Sequence, residues 1–184
     1  PDSRWYPYAK RELETLGFEV HVPEMPDTER PVLGPWLGKL TEVAGKPDPD
    51  LFLVGHSVGV PTIFRYLEGL PEGTVIGGFV SVAGYTDGLE DVETIEDKTV
   101  LPPFFEPPLD WVKIKRSAKK FVVIYSDNDP YVSPKYAQIL KEKLGAELIL
   151  KRGMGHFSEP DGEGDSVIVR ELPDVIEAIK KMTA

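Results

Sequence analysis

The stretch LFLVGHSVGVPTIFRYLEGL, Leu51 to Leu70, drives an apolar run through Gly55-His56-Ser57-Val58-Gly59 and straight into a helical pattern. Leu51–Val54 reads as a strand buried on both faces of a parallel sheet. Residues 58–69 read as a helix, with Pro61 in its first turn, where a missing N–H costs little. A serine between small residues at a strand-to-helix turn is exposed at the end of the strand, because the glycines let the chain turn sharply and let the helix pack near the strand. Both Gly55 and Gly59 are expected to meet such size limits. The Val58 N–H opens the helix and can donate to a developing oxyanion, with the helix dipole adding to the effect. The bland alternative is a tight turn with a buried or capping serine.

Outward from this turn the pattern alternates. Helices are predicted over 4–16 (with Asp2 or Ser3 as N-cap and Gly17 as terminator), 32–44, 134–144 and 172–182. Strands are predicted at Phe18–Val22, 75–83, Phe121–Tyr125 and Glu147–Leu150. Short apolar strands alternating with helices indicate an α/β fold, a three-layer sandwich with a mainly parallel central sheet. The length of 184 residues suits one domain.

In such a sheet, ligands bind beyond the C-terminal strand ends, where Ser57 lies. A serine hydroxyl needs a base near neutral pH. Of the 3 histidines, His156 follows the last predicted strand in KRGMGHF and so shares the edge with Ser57. His56 adjoins Ser57 and points elsewhere, toward a substrate pocket; His21 falls in an early strand. The base needs an acid to set its tautomer. The strand ending at Tyr125 leads into Ser126-Asp127-Asn128-Asp129-Pro130, where either carboxylate could serve. The order serine, acid, histidine is that of the α/β-hydrolases.

Composition narrows the field. The net charge is −10, with 21 basic residues scattered among 31 acidic ones. That argues against nucleic acid or an anionic membrane surface as partner, and against polyanionic substrates. No apolar run approaches the roughly 18 residues of a membrane span. With no cysteine, disulfide and thiolate chemistry are excluded, and the cytoplasm is the expected location. One Asn, one Gln and 18 Pro fit a thermophilic source.

The segments WYPYAKRELETLGF, VPEMPD, LVGHSVG, VSVAGYT, DWVKIK, SDNDPYVSP and GMGHF, in this order, resemble the α/β-hydrolase-fold serine hydrolases of the retinoblastoma-binding protein 9 / YdeN type. The resemblance implies Ser57 as nucleophile, His156 as base and Asp129 as acid, since the family motif ends in Asp-Pro. It implies no metal and no cofactor. It also implies a strand and a glycine-rich loop ahead of the first helix, giving a central strand and a second oxyanion donor. This sequence starts at Pro1, about where that loop would end. The expectation is that this segment is missing from the sequence, or that another chain supplies the strand. Losing one donor costs about 10²–10³ in rate. Retinoblastoma protein, whose binding is associated with a cysteine-containing motif, is not carried over as a partner.

Residues 84–113 have an acidic first half and then Leu101, Phe104, Phe105, Leu109 and Trp111 among prolines. They read either as a small cap, with Phe104, Phe105 and Trp111 forming an apolar acyl pocket, or as cover for the sheet. The acidic loop 159–165 offers oxygen ligands for calcium, but its spacing matches no EF-hand pattern, and it reads as solvated. Trp5 and Tyr6 either line the mouth of the site or anchor the first helix. The expected activity is hydrolysis of small carboxylic esters or related acyl compounds through an acyl-enzyme. The competing readings are a non-catalytic binding module of the same shape, or a thioesterase, peptidase or acyl transferase using the same triad.

Overall fold

The computed structural model describes residues 1–87, 100–160 and 164–183. Its sheet contains β1 (Phe52–His56), β2 (Gly78–Val82), β3 (Phe121–Ser126) and β4 (Glu147–Lys151), all parallel and in the order β1-β2-β3-β4. Strand order follows chain order. Since βαβ crossovers are right-handed, every connecting helix must then fall on one face. These helices are α3 (Gly59–Gly69), the short α4 (Pro102–Phe105) and α5 (Trp111–Arg116), and α6 (Lys135–Leu144). The other face needs cover from outside the crossovers. It comes from α1 (Tyr6–Thr15) and α7 (Pro173–Thr183). The remaining helix, α2 (Leu33–Ala44), packs beside α3.

Alternation along the strands sorts the core into two halves. Phe79, Phe121, Val123 and Tyr125 pack with Phe64, Leu67, Ile114 and Leu140 beneath the crossover helices. Val80, Val82, Val122 and Ile124 point the other way, onto Ala9, Leu13, Val175 and Ile179. Both faces are dry, which is why these strands appear in sequence as unbroken apolar runs. The result is the predicted α/β sandwich.

Several local expectations change. Phe18–Val22 forms no strand, because no described segment pairs with it in a ladder. Its contacts are instead a Lys10 Nζ bond to the Val20 carbonyl at 2.7 Å and an edge-on Phe18–Phe52 pair. Helix α1 starts at Tyr6 with Trp5, not Asp2 or Ser3, at its N-cap and no side-chain cap. Burial of Trp5 in the core and Pro7 in the first turn set that start. The strand expected over 75–83 is confined to Gly78–Val82, with Ile76 making only an isolated bridge to Ala118.

Residues 88–99, the acidic part of the expected cap, lie outside the described residues. Residues 101–110 are fastened to α3 by Arg65. Its guanidinium donates to Phe104 O at 3.0 Å, to Pro107 O, and to Glu68 Oε2 at 2.7 Å. Glu68 Oε1 accepts the Asp110 N–H at 2.8 Å. Arg65 is 9% exposed, so removing its donors strands two carbonyls and a carboxylate. Arg65→Met is expected to destabilise the protein by about 2–4 kcal/mol. Glu68→Gln, which retains an acceptor, should cost less. Urea unfolding midpoints at unchanged m-value check the ranking.

Candidate active site

All four strands end at the same edge of the sheet, and the loops leaving β1, β3 and β4 carry the chemistry. After β1, Ser57 adopts φ +52°, the left-handed region that a non-glycine residue enters only at a cost of about 1–3 kcal/mol. Its N–H donates to Val82 O at 3.0 Å and its carbonyl accepts from Val60 N at 2.9 Å, so the turn is pinned to β2 and to the first turn of α3. Gly55 permits this. A Cβ there would lie 2.9 Å from Ile63 Cδ1 and 3.1 Å from the Val60 backbone. Gly59 differs from expectation: a Cβ on it would meet no described atom within 4 Å, because it already faces outward on α3. Val58 stands at the N-cap of α3, so its N–H belongs to the unpaired donors of the first turn.

The loops after β3 and β4 are sewn together. Asp127 Oδ1 accepts Gly153 N, Ser126 Oγ accepts Met154 N and Asn128 Oδ1 accepts Gly155 N, each at 2.9 Å. Asp127 is therefore a brace between loops and exposed, while Asp129 turns inward. Asp129 Oδ1 accepts the N–H groups of Tyr131 and Val132, both at 2.9 Å, and Oδ2 stands 2.9 Å from His156 Nδ1. The Asp129 side chain is wholly buried and that of His156 is 10% exposed. A carboxylate that accepts from Nδ1–H leaves the lone pair on Nε2, the atom a general base needs. The structure thus brings His156 and Asp129 together and places Ser57 on the same strand-end edge.

His56 is buried beside them, its ring centroid 4.9 Å from that of His156. Its Nε2–H donates to His156 O at 2.7 Å. Nδ1 is then the acceptor for Arg4 Nη1 and Tyr6 OH, each at 3.0 Å. Burial, then the neighbouring His156 and Arg4, hold its pKa well below 6.5, so this ring is neutral. Trp5 anchors α1 in the core while Tyr6 reaches the site.

The aromatic residues expected to line a pocket lie apart from one another. Phe104 has no exposed surface. Trp111 packs edge-on against Phe64, next to the Asp110–Glu68 contact at the far end of α3 from Ser57. Phe105 stacks obliquely on Tyr85, which follows β2 on the site's own edge. Tyr131, edge-on to His156 at 5.3 Å, is a neighbour the sequence reading missed. So is Asp165, which falls in the loop expected to be solvated yet is 4% exposed and accepts the His156 N–H at 2.7 Å. A groove of about 700 Å³ between α1, residues 20–24 and α2 touches none of Ser57, Asp129 or His156. Among the described residues, no group of three or more His, Asp or Glu is arranged to hold a metal ion, and no helix is long and apolar enough to cross a membrane.

Comparison with known proteins agrees with this fold. The family model described as serine hydrolase matches residues 1–171. YdeN of Bacillus subtilis is 30% identical over 170 residues, covering 92% of this chain and 86% of that protein. The serine hydrolase RBBP9 of Rattus norvegicus is 27% identical over 158 residues, 85% of this chain and 80% of the relative. The crystal structure of the ydeN gene product from B. subtilis superposes with a TM-score of 0.85 at 29% identity, covering 98% of this chain and 91% of that one. A monoacylglycerol lipase from Paleococcus ferrophilus shares the fold at a TM-score of 0.64 and 13% identity, covering 96% and 89%.

Two outcomes test the local physics. Gly55→Ala should lower stability by about 1–3 kcal/mol through overpacking against α3, whereas Gly59→Ala should be tolerated. Equal unfolding midpoints for the two would refute the size argument at Gly55. For His56, the unfolded chain takes up a proton near pH 6.5 that the folded chain refuses. Its contribution is complete above that pH and is lost as pH falls below it, by up to about 1.4 kcal/mol per unit. The stability of His56→Gln relative to the unsubstituted protein should therefore improve between pH 7.5 and pH 5.5. A pH-independent difference would contradict it.

Proposed function

The chain belongs to the serine hydrolase family, and on that premise we propose that it cleaves small carboxylic esters or related acyl compounds through Ser57, His156 and Asp129. The observation that carries this reading is the 2.9 Å contact between His156 Nδ1 and a fully buried Asp129 carboxylate, on the edge where Ser57 is held at positive φ. In the reaction, Ser57 Oγ attacks the substrate carbonyl while His156 Nε2 takes the hydroxyl proton. The carbonyl electrons move to oxygen, where the Val58 N–H donates. The intermediate collapses, His156 returns the proton to the leaving alcohol, and an acyl-enzyme remains. Water, deprotonated by His156, repeats the sequence and frees the acid. Asp129 keeps its charge throughout and stabilises the imidazolium.

An acidic chain carrying −10 favours neutral or apolar esters over polyanions. Tyr131, edge-on to His156, and Phe105, backed by the buried Tyr85, are half-buried aromatics on this edge and the best candidates to contact the acyl group. A cysteine-free chain suits the cytoplasm.

A fluorophosphonate probe is expected to form one adduct, on Ser57, in the unsubstituted protein. Labelling and p-nitrophenyl ester turnover should vanish in Ser57→Ala. In His156→Ala, kcat should fall by a factor on the order of 10⁴ or more. Turnover that survives Ser57→Ala would overturn the assignment. Labelling without ester turnover would redirect the search to thioesters, peptides or acyl transfer.

A further inference from the structure

The backbone of His156 is held at both its N–H and its carbonyl by side chains from elsewhere in the chain. Its N–H donates to Asp165 Oδ2 at 2.7 Å, and its carbonyl accepts from His56 Nε2 at 2.7 Å. Both partners are buried, Asp165 at 4% exposure and His56 at 7%. The residues on either side are in the left-handed region, Gly155 at φ +51° and Phe157 at φ +54°. Glycine adopts this conformation freely, but Phe157 does so at a cost that its surroundings must offset.

We propose that Asp165 and His56 form a clamp that positions His156 as the base, independently of the Asp129 contact. This rests on the reading of His156 as general base given above. Neither residue touches the reacting atoms, so both are positioning residues. Asp129 sets the tautomer and one edge of the ring. The clamp sets the main chain from which the ring projects, and hence where Nε2 stands relative to Ser57.

The chemistry of each group suits that role. Asp165 accepts on both oxygens, from His156 N and Ser158 Oγ on Oδ2 and from Val167 N on Oδ1. Only a carboxylate presents two acceptor edges, because an amide would turn an NH₂ toward one of those N–H groups. Space enforces the arrangement as well, since a Cβ on Gly155 would fall 2.2 Å from Asp165 Oδ1. His56 is equally committed. With Nδ1 accepting from Arg4 and Tyr6, its proton is on Nε2 and aimed at the carbonyl. The residue before the nucleophile thus holds the backbone of the base, linking the β1 turn to the loop after β4.

The test compares Asp165→Asn, His56→Phe and His56→Gln in ester hydrolysis. Displacing a reacting group by about 1 Å costs on the order of 10²-fold. Asp165→Asn and His56→Phe are therefore expected to lower kcat by about 10- to 100-fold with KM little changed. His56→Gln restores an N–H donor at similar reach and should recover much of what His56→Phe loses. Folded variants with the kcat of the parent protein would overturn the clamp, as would equal losses in His56→Gln and His56→Phe. If Asp165→Asn does not fold, the His56 pair decides alone. If the parent protein neither labels nor turns over, the proposed function fails and the clamp is read without turnover. Hydrogen exchange of the His156 amide should then accelerate in Asp165→Asn, and an unchanged exchange rate would overturn it.

Discussion

The hydrogen bond from His156 Nδ1 to the Asp129 carboxylate is the contact around which the strand-end edge is organised. A carboxylate with no exposed side-chain surface needs partners for both oxygens, or its desolvation is uncompensated. The two backbone N–H groups of Tyr131 and Val132 satisfy one oxygen, which leaves the other for the imidazole. That arrangement requires the loops after β3 and β4 to lie side by side. The three bonds from Ser126, Asp127 and Asn128 to residues 153–155 provide it. Almost every polar side chain of the Ser-Asp-Asn-Asp run is thus occupied in holding the histidine loop.

Rigidity of the sheet is what makes such loop geometry dependable. β3 is buried along its whole length and paired on both sides, so its last residue is fixed on both faces and at both edges. β1 is paired on one side only among the described residues. The Ser57 turn compensates by bonding to Val82 O and by packing Gly55 against Ile63 and Val60. His56 adds a second tether, to the carbonyl of His156. Ser57 and His156, the proposed nucleophile and base, are thereby connected through protein atoms. Strain at Ser57 and Phe157 lies beside these tethers, as expected where function needs a conformation that local preference disfavours.

The residues around the centre divide by what they touch. Arg4, Tyr6 and His56 form a polar group in which one guanidinium and one phenol meet a neutral imidazole. Tyr131 and Phe105 supply aromatic surface on the other loops, with Phe105 resting on the buried Tyr85. The prolines and aromatics after residue 100 mainly cover α3, fastened there by Arg65 and Glu68, which favours the covering role over the pocket role for Phe104 and Trp111.

Much of the layout was legible in the sequence because it depends on short-range rules. Apolar runs of strand length, helix periodicity and glycines flanking Ser57 are local signals, and they identified the sandwich and placed Ser57, Asp129 and His156 at one edge. Phe18–Val22 showed strand alternation, but a strand exists only with a neighbour, and pairing is not local. Asp127 and Asp129 are equivalent by composition, and Asp-Pro in a family motif favoured the second. The direction of each side chain, set by loop packing, is what turns one toward Gly153 and the other toward His156. Asp165 reads as one acid in an acidic loop. Only tertiary structure brings its carboxylate to the His156 N–H, because burial of a charge is decided by the donors that other segments bring to it.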